Sequence, residues 1–560
     1  MNVTLTYRGR SDVADSAGRQ IFRLVPNLTR DPVGFDAPLL KPLRFREAMS
    51  ALHDVVISDL RFKPREKSAY EQWKKDQTKR VAVLRKEARK NALAEIAQRR
   101  GVSVGEFEDT FQQLRKKYWT ARQKYSNYLY NHDMDLWRRL MPCDPVITVA
   151  DDVAFFECFS ADESSYGCLT VDREDGFGKA DGVKFGTTNV DYSWDLYNHF
   201  QSLRSYRETR FSVDPEGFTV NTQDAGAGIR EEKIDLPTSW LRGFMTLQSA
   251  MTMPSQVVSL SREAVYSILA FLKRHKAQKS PRALRFEMTP GKAVELVLEP
   301  WGQRIETHGA KYEGPAIEPI RVWGTRRLLV LARTLPLAER FDVHLLGTGL
   351  PHFWVARMGE MKLTLGLSGW TTNDWTRGSA VDLLAPPQAP SPDLVNNVAA
   401  VLRERRSGTA MEIAGAAGAD IGVVTAALRQ LAHSGQAIHD LPGNVYRWRQ
   451  IMPKALGEAE IGPEHPEMLG ARGIMASGRA DLVSRDEAPK GGYVLTGKVE
   501  SYSVEIMVDG DGRIRRGKCG CSYFHRFALK NGPCRHMLAL RWRSSVKALE
   551  AMKASAWYRS

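Results

Sequence analysis

Hydrophobic and polar positions change their spacing along the chain, and these changes divide it into segments. From Phe45 to Val56, apolar side chains recur at helical spacing, which predicts an amphipathic helix. Residues 66–100 keep a helical pattern with few apolar positions, and a second charged helix follows it. Together these patterns predict a basic helical N-terminal region over residues 1–140.

Residues 141–384 change to short apolar runs that are typical of strands, separated by turn residues and by helical runs. Ser261 stands immediately before one such helical run, and serine is a favoured residue at a helix N-terminus. We therefore predict two α+β units, residues 141–250 and residues 251–384. A Pro-rich linker is expected at residues 385–392.

Residues 393–452 contain three helical runs followed by two short strand runs. Thr409 and Glu412 have the spacing of a capping box at the start of the second helix, and Gly435 ends the third. Three helices followed by a β-hairpin is an order that resembles a winged helix-turn-helix domain.

The winged-helix resemblance implies that the third helix reads a DNA groove and that the hairpin contacts the backbone. Arg429 on the third helix and Arg447 and Arg449 on the hairpin would then be nucleic-acid contacts. Winged helices also serve as protein-docking modules, and this third helix is poor in Lys and Arg, so both uses remain open.

The most specific pattern lies near the C-terminus, in the stretch KCGCSYFHRFALKNGPCRHMLALRW. Cys519 and Cys521 end a run that alternates like a strand, and Cys534 and His536 begin a helical run. Four nitrogen and sulfur ligands make a tetrahedral zinc site with no open position, which is the arrangement of a structural site. We predict one structural Zn²⁺; His525, inside the spacer, fits less well as a ligand.

Cys-x-Cys followed after twelve residues by Cys-x-His resembles the SWIM zinc finger. The resemblance covers residues 489–545 and implies a small ββα-type metal-binding unit. We expect the finger to occupy residues 489–560, after a linker at residues 453–488. The expected fold class is therefore multidomain α+β.

Charge strengthens the case for a polyanionic partner. The 560-residue chain has a formal net charge of +15, and residues 61–125 hold 19 Lys and Arg against 8 Asp and Glu. Residues 513–543 hold nine Lys and Arg and no acidic residue. The four cations that precede the metal motif are predicted phosphate contacts: Arg513, Arg515, Arg516 and Lys518.

Other features limit the function classes. No apolar run approaches the roughly 20 residues that span a bilayer, so a cytoplasmic protein without membrane contact is expected. Residues 157–175 are rich in carboxylates but show no recognisable catalytic arrangement, and there is no Walker A motif. Cys143, Cys158 and Cys168 have no histidine at metal-ligand spacing and are expected to be buried apolar residues.

The order of a long α/β part, a winged helix and a C-terminal finger resembles bacterial SWIM proteins encoded beside MoxR-type AAA+ ATPases and von Willebrand factor A proteins. That resemblance implies an adaptor or a nucleic-acid-binding partner of the ATPase. The expectation is thus a non-enzymatic, zinc-binding protein that binds double-stranded DNA or acts as an adaptor. The alternatives are a protein-only scaffold for the ATPase and a metal nuclease of a mobile element or defence system; the oligomeric state is left open.

Overall fold

The computed structural model describes most of the chain from the first strand to the last helix, with gaps. The described residues are 3–7, 11–16, 19–27, 32–56, 145–160, 162–190, 201, 203–206, 208–213, 231–236, 238–369, 375, 390–457 and 465–553. The basic helices predicted over residues 61–125 and Cys143 lie outside these ranges, as does most of the Pro-rich linker.

The protein is a mixed α+β structure with several sheets. Its described helices are α1 (Pro42–Val56), α2 (Arg173–Gly176), α3 (Thr238–Met251), α4 (Arg262–Arg274), α5 (Pro392–Arg405), α6 (Ala410–Ala417), α7 (Ile421–His433), α8 (Pro466–Ala476), α9 (Ser522–Phe527) and α10 (Arg535–Lys553), with 3₁₀ helices at Thr325–Arg333 and Pro489–Gly491. The first strands are β1 (Val3–Tyr7), β2 (Asp12–Ser16), β3 (Arg19–Leu24), β4 (Gly34–Pro38), β5 (Val146–Val149), β6 (Val153–Phe159), β7 (Ser165–Asp172), β8 (Asp181–Lys184), β9 (Gly186–Asn189), β10 (Thr209–Val213), β11 (Glu231–Leu236), β12 (Gln256–Ser261) and β13 (Leu284–Glu287). The remaining strands are β14 (Ala293–Leu298), β15 (Gln303–Lys311), β16 (Ile320–Val322), β17 (Arg340–Leu345), β18 (His352–Met358), β19 (Met361–Leu367), β20 (Ser407–Gly408), β21 (Ala437–Asp440), β22 (Val445–Trp448), β23 (Ala480–Ala488), β24 (Gly492–Val499), β25 (Tyr502–Val508) and β26 (Ile514–Lys518).

An eight-stranded antiparallel sheet forms the centre of the molecule, in the order β12-β17-β18-β19-β7-β6-β5-β9. The central strands are buried along almost their whole length, because helices and neighbouring sheets cover both faces. Continuous apolar runs such as VAFFECF in β6 suit strands that are buried on both sides.

The two predicted α+β units share this sheet, so the boundary expected near residue 250 does not separate two cores. The pairing of β7 with β19 joins them, with Val171 opposite Met361 and Ser165 opposite Leu367. Local periodicity predicts strands but not their partners, because an apolar strand can pair with any other apolar strand of similar length.

The start of the basic helical N-terminal region contains more strand than expected, because its scattered Pro and Gly residues predict an irregular segment with one short strand over residues 1–40. β2, β3 and β4 join β10 and β8 in a five-stranded sheet, and β1 pairs with β11. The predicted helix from Phe45 to Val56 is present as α1, and it packs on β6, β7 and β19 of the large sheet. The sequence does not reveal these strands, because they are short and pair with segments far away in the sequence.

The winged-helix-like segment contains α5, α6 and α7 followed by the hairpin β21-β22, in the order that the sequence predicts. The two-residue strand β20, between α5 and α6, is not predicted and completes a three-stranded sheet, β20-β22-β21. The capping box between Thr409 and Glu412 is present in both directions. Its hairpin is packed on the large sheet: Arg449 forms a fully buried ion pair with Glu157 of β6, and the Nε–Oε2 distance is 2.9 Å. α7 also packs on α3, where His433 Nδ1 lies 2.7 Å from Ser249 Oγ.

The C-terminal unit begins earlier than expected. Residues 466–476 and 480–488, which were assigned to a linker, form α8 and β23. Helices α8 and α10 pack together on the sheet β23-β24-β25-β26, around a separate apolar core that includes Ile474, Ile506 and Leu540. α8 was missed because its apolar positions are few and three glycine and proline residues weaken its helical pattern.

Within the described ranges, no single helix is long and apolar enough to cross a membrane. Helices α6 and α7 meet that requirement only as a pair, and the chain bends by 108° between them.

The buried ion pair gives a prediction about stability. Replacing Arg449 with alanine leaves the Glu157 carboxylate buried without its cation, and the Tyr166 hydroxyl, which donates a hydrogen bond at 2.7 Å, cannot compensate the charge. We expect Arg449→Ala to lower the free energy of unfolding by about 3–5 kcal/mol. Chemical denaturation followed by circular dichroism measures this loss.

The matched control is Arg405→Ala, at an exposed position at the end of α5. This control should change the free energy of unfolding by no more than about 0.5 kcal/mol. Equal stability of the two variants would contradict a structural role for the buried pair.

Candidate metal centre

The first two cysteines lie where β26 leaves the sheet. β26 ends at Lys518, and Cys519 and Cys521 follow in extended backbone before the short helix α9. Cys521 is the N-cap of α9, and its Sγ accepts a hydrogen bond from the backbone N–H of Phe524 at 3.4 Å. Both cysteines are buried, so the turn fixes their sulfur atoms inside the unit.

The other two ligand candidates are carried by the start of α10. Cys534 precedes the helix and His536 lies in its first turn, and both are buried. At Gly517, β26 lies close to this helix: a Cβ at that position would be 2.6 Å from the terminal methyl group of Met537, which would have to move. Strand and helix are thus close enough for their four side chains to converge.

The four side chains form a compact group. One ligand atom from each of Cys519, Cys521, Cys534 and His536 lies within 4.8 Å of the others, and Cys519 Sγ lies 3.7 Å from His536 Nδ1. Around a tetrahedral zinc ion, a sulfur and a nitrogen ligand would be roughly 3.6 Å apart. The arrangement therefore fits one zinc ion. Within the described ranges it is the only group of three or more His, Cys, Asp or Glu side chains close enough to hold a metal.

The electrostatics of the group favour a thiolate at Cys534, whereas the hydrogen bond to Cys534 raises the pKa of Cys519 and burial raises the pKa of Cys521. A hydrogen bond from Cys519, and a further one involving His536, lower the pKa of the Cys534 thiol to about 4 despite its burial. Burial lowers the pKa of His536, but its interactions with Cys534 and Glu500 more than offset this and raise that pKa. Cys534 is accordingly a thiolate at neutral pH, and thiolate is the form that binds zinc.

Glu500 orients the histidine, and sequence spacing gave no sign of this role. Its Oε2 accepts a hydrogen bond from His536 Nε2 at 3.0 Å, which leaves Nδ1 to face the three sulfur atoms. Arg479 holds the other oxygen of the same carboxylate at 2.7 Å. Carboxylates in this position fix the tautomer of a metal-binding histidine and increase its basicity. Glu500 lies in the turn between β24 and β25, 36 residues before His536, so no local motif connects the two.

A second carboxylate holds the start of α10. Glu467 accepts hydrogen bonds from the backbone N–H of Arg535 at 2.7 Å and from its guanidinium at 2.8 Å. Because Glu467 belongs to α8, this contact fixes the helix that carries Cys534 and His536 to the rest of the unit. The segment expected as a linker therefore supports the metal centre.

The predicted phosphate contacts on β26 differ in exposure. Arg515, Arg516 and Lys518 are exposed, whereas Arg513 is half-buried in the turn before the strand. Asp509 accepts a hydrogen bond from Arg515 at 2.6 Å, and Lys518 lies 3.5 Å from Glu505. The structure thus brings three of the four cations to one exposed strand next to Cys519.

The arginines of the winged-helix-like segment correct the expectation for that region. Arg447 lies between Asp440, 2.9 Å away, and Asp152, and Arg449 lies against Glu157; both arginines are at most 3% exposed. Arg429 is half-buried beside Tyr446. The wing strand faces the large sheet, so its two arginines bind carboxylates of the same chain and are not available to a phosphate backbone.

The carboxylate-rich stretch of residues 157–175 does not form a metal site in the structure. Glu157, Asp162 and Asp172 bind three different cations, Arg449, Arg327 and Lys362. Glu174 and Asp175 are exposed in α2. Cys158 and Cys168 are buried, and burial raises the pKa of both thiols, in keeping with the expectation of inert core residues.

Comparisons with known proteins do not assign the chain to a family. No family model matches it, and no curated protein is similar to it. Among solved structures, it is similar to the proliferating cellular nuclear antigen from Entamoeba histolytica, with 12% sequence identity and a TM-score of 0.28, over 40% of this chain and 89% of that one. A similarity of this size carries no argument about function.

The contact between Glu500 and His536 predicts a loss of zinc affinity on mutation. Glu500→Gln keeps the shape of the side chain but removes the negative charge that supports the histidine. We expect zinc affinity to fall about 10-fold to 100-fold. Competition with a chromophoric zinc chelator measures the change.

Glu505→Gln is the matched control, since Glu505 is an exposed residue of the adjacent strand β25 and its carboxylate pairs with Lys518 at 3.5 Å. Its zinc affinity should equal that of the wild type. If Glu500→Gln also bound zinc as tightly as the wild type, the proposed support of His536 would be wrong.

Zinc removal is expected to unfold the C-terminal unit and to leave the central sheet folded. The two parts have separate apolar cores, and a structural zinc contributes on the order of 10 kcal/mol to a small unit. Limited proteolysis with mass spectrometry should show cleavage within residues 466–553 after chelation. The double variant Cys534→Ser, His536→Ala should lose zinc and give the same fragments; full zinc retention in that variant would refute the ligand assignment.

Proposed function

We propose that the protein is a non-enzymatic nucleic-acid-binding protein and that residues 489–545 are a zinc finger of the SWIM type. The observation that carries the proposal is the exposed basic strand β26, which leads directly into the metal centre. Arg515, Arg516 and Lys518 are all exposed on this strand. β26 is an edge strand of its sheet, so a long ligand can approach it without displacing another strand.

The charge around the centre supports an anionic ligand. Arg526 and Lys530 are also exposed, in and just after α9, and residues 513–543 contain no acidic side chain. Three thiolates and one Zn²⁺ carry together a charge of about −1, which offsets little of this positive charge. A phosphate backbone is the commonest ligand for such a surface.

Two local explanations for the charges are insufficient. Charged side chains on an edge strand prevent pairing with another chain, but either sign of charge would serve that purpose. Arg515 and Lys518 have carboxylate partners, yet their side chains remain 56% and 79% exposed, and exposed pairs of this kind contribute little to stability. DNA phosphates can therefore replace these carboxylates as partners of Arg515 and Lys518 with little loss of folding stability.

A second function as a protein adaptor is favoured by a different surface. Met411, Ile421 and Val423 are large apolar residues of α6 and α7 that are 73%, 46% and 46% exposed. Exposed apolar side chains on the third helix suit a protein partner better than DNA. In this second proposal the winged-helix-like segment docks on a partner such as a MoxR-type AAA+ ATPase or a von Willebrand factor A protein.

The DNA proposal is tested by the salt dependence of binding. Wild-type protein should bind duplex DNA at low salt with little sequence preference, and its affinity should fall steeply as salt rises. Replacing Arg515, Arg516 and Lys518 with alanine should weaken binding and reduce the slope of log K against log salt by about 0.9 per lost phosphate contact. Fluorescence anisotropy with a labelled duplex provides both quantities.

The control replaces three exposed cations elsewhere, Lys179, Lys184 and Arg405, which have no ion pair among the described residues. This variant has the same net charge as the finger variant, so it separates a local contact from a general effect of charge. Equal slopes in the two variants would contradict a DNA contact at β26, provided that both hold zinc. Absence of DNA binding by the wild type would leave the adaptor function, and Mg²⁺-dependent cleavage of the duplex would indicate a nuclease instead.

A further inference from the structure

Three aromatic side chains meet at the surface where α4 ends. The imidazole of His275 is stacked on the ring of Phe271, with centroids 4.1 Å apart and an interplanar angle of 22°. The indole of Trp301 stands edge-on to both rings, 5.1 Å from Phe271 and 6.0 Å from His275. We call Phe271, His275 and Trp301 the aromatic cluster.

Two members of the aromatic cluster are open to solvent. Trp301 lies in the turn between β14 and β15 and is 36% exposed, and His275 follows the last residue of α4 and is also exposed. Phe271 covers one face of the imidazole and its carbonyl oxygen lies 3.0 Å from His275 Nδ1, so a ligand ring would stack on the opposite face. The half-buried Phe271 thus packs against both exposed rings on their protein side.

Four cations flank His275 in the sequence: Lys273, Arg274, Lys276 and Lys279. All four are exposed, and none of them has an ion pair among the described residues. Arg326 adds a further positive charge at this end of α4, because its guanidinium donates a hydrogen bond to the carbonyl of Leu272 at 2.9 Å.

Acidic residues are sparse in the sequence around this end of the helix. Residues 264–286 contain no Asp or Glu. The carboxylate of α4, Glu263, lies at its first turn, about 16 Å along the axis from Arg274. Glu299, beside Trp301 in the sequence, is buried and held by Arg285 and Arg321.

Helix stability alone does not explain this composition. Lysine and arginine in the last turn interact favourably with the helix dipole, which accounts for Lys273 and Arg274. Lys276 and Lys279 lie beyond the helix, where that effect has ended. A tryptophan in a surface turn also contributes less to a core than a buried one does. Exposed rings among unpaired cations are instead the two components of a single-strand binding surface.

We propose that the aromatic cluster and its four cations bind single-stranded nucleic acid. An unpaired base stacks on Trp301 or on the open face of His275, and the cations contact the phosphates on either side. A duplex lacks exposed base faces, so this site prefers single strands, whereas β26 contacts only the backbone. The site rests on the proposed nucleic-acid-binding function, to which it adds the class of ligand.

The finger adjoins the segment that carries these cations. Asp511, in the turn before β26, accepts hydrogen bonds from the backbone N–H and the guanidinium of Arg282 at 2.7 and 2.9 Å. Asp511 is 3% exposed, and Trp323 Nε1 also lies 3.4 Å from it. The segment from Lys273 to Arg282 therefore begins at the aromatic cluster and ends at the finger, so one short segment connects the two proposed surfaces.

The test uses the full-length protein with zinc bound. Anisotropy measures its binding to labelled oligo-dT and oligo-rU of about 16 nucleotides and to a DNA duplex. We expect Trp301→Ala to weaken binding to the single strands roughly tenfold, with a smaller effect on the duplex. Trp301→Tyr should restore most of the loss, because a tyrosine ring can still stack. The dT and rU arms show whether DNA or RNA is preferred.

Tyr206→Ala is the control for the loss of an exposed aromatic residue, since Tyr206 is 78% exposed at another surface. Single-strand binding by Trp301→Ala equal to that of the wild type would overturn the proposed site. If the β26 variant were still impaired in duplex binding, the proposed nucleic-acid-binding function would stand without the single-strand site. If Trp301→Ala lost single-strand binding and duplex binding to the same extent, the stacking role would also be overturned. The same conclusion would follow if the wild-type protein bound only the duplex.

Crosslinking supplies a readout that does not depend on affinity. Oligo-dT in which 5-iodouracil replaces one thymine should form a photo-crosslink to a peptide that contains His275 or Trp301. Mass spectrometry identifies the peptide. Crosslinks confined to the finger peptides would place the strand elsewhere and refute the site.

Discussion

The antiparallel pairing of β7 with β19 is the constraint on which the centre of the structure depends. It places Val171 opposite Met361 and so joins two halves of the chain that are 190 residues apart at that point. Closing a loop of this length costs conformational entropy before any contact forms, and the cost is recovered only when the whole sheet buries its apolar faces. The winged-helix-like hairpin is then held on β6 by Arg449 and Glu157, neither of which is exposed to water.

The C-terminal unit depends on a different, local constraint. Its core is small, and strand β26 and helix α10 meet at four buried ligand side chains. A zinc ion at that point would neutralise most of the thiolate charge and join the strand to the helix through four coordinate bonds. A larger domain would obtain the same stability by burying more apolar surface. The surrounding carboxylates Glu500 and Glu467 hold the histidine and the helix start, so the site extends beyond its four ligands.

These two constraints decide which cations are available to a ligand. The wing arginines are used inside the molecule, where they compensate Asp152 and Glu157. The cations of β26 and of the end of α4 remain at the surface, on the two sides of the contact between Arg282 and Asp511. In the proposed function, one surface contacts a phosphate backbone and the other stacks an unpaired base, so the two together suit a nucleic acid with both paired and unpaired parts.

Features that are encoded within a few residues of one another could be predicted from the sequence. The Cys-x-Cys and Cys-x-His pairs, the capping box at Thr409 and the helix start at Ser261 all depend on local geometry, and each is present in the structure. The sequence does not reveal which strands share a sheet, that Arg447 and Arg449 are buried, or that Glu500 supports His536. Those features depend on partners that are far away in the chain. An arginine can be buried only where a carboxylate compensates its charge, and the sequence around the arginine does not show whether such a carboxylate is near it in the fold.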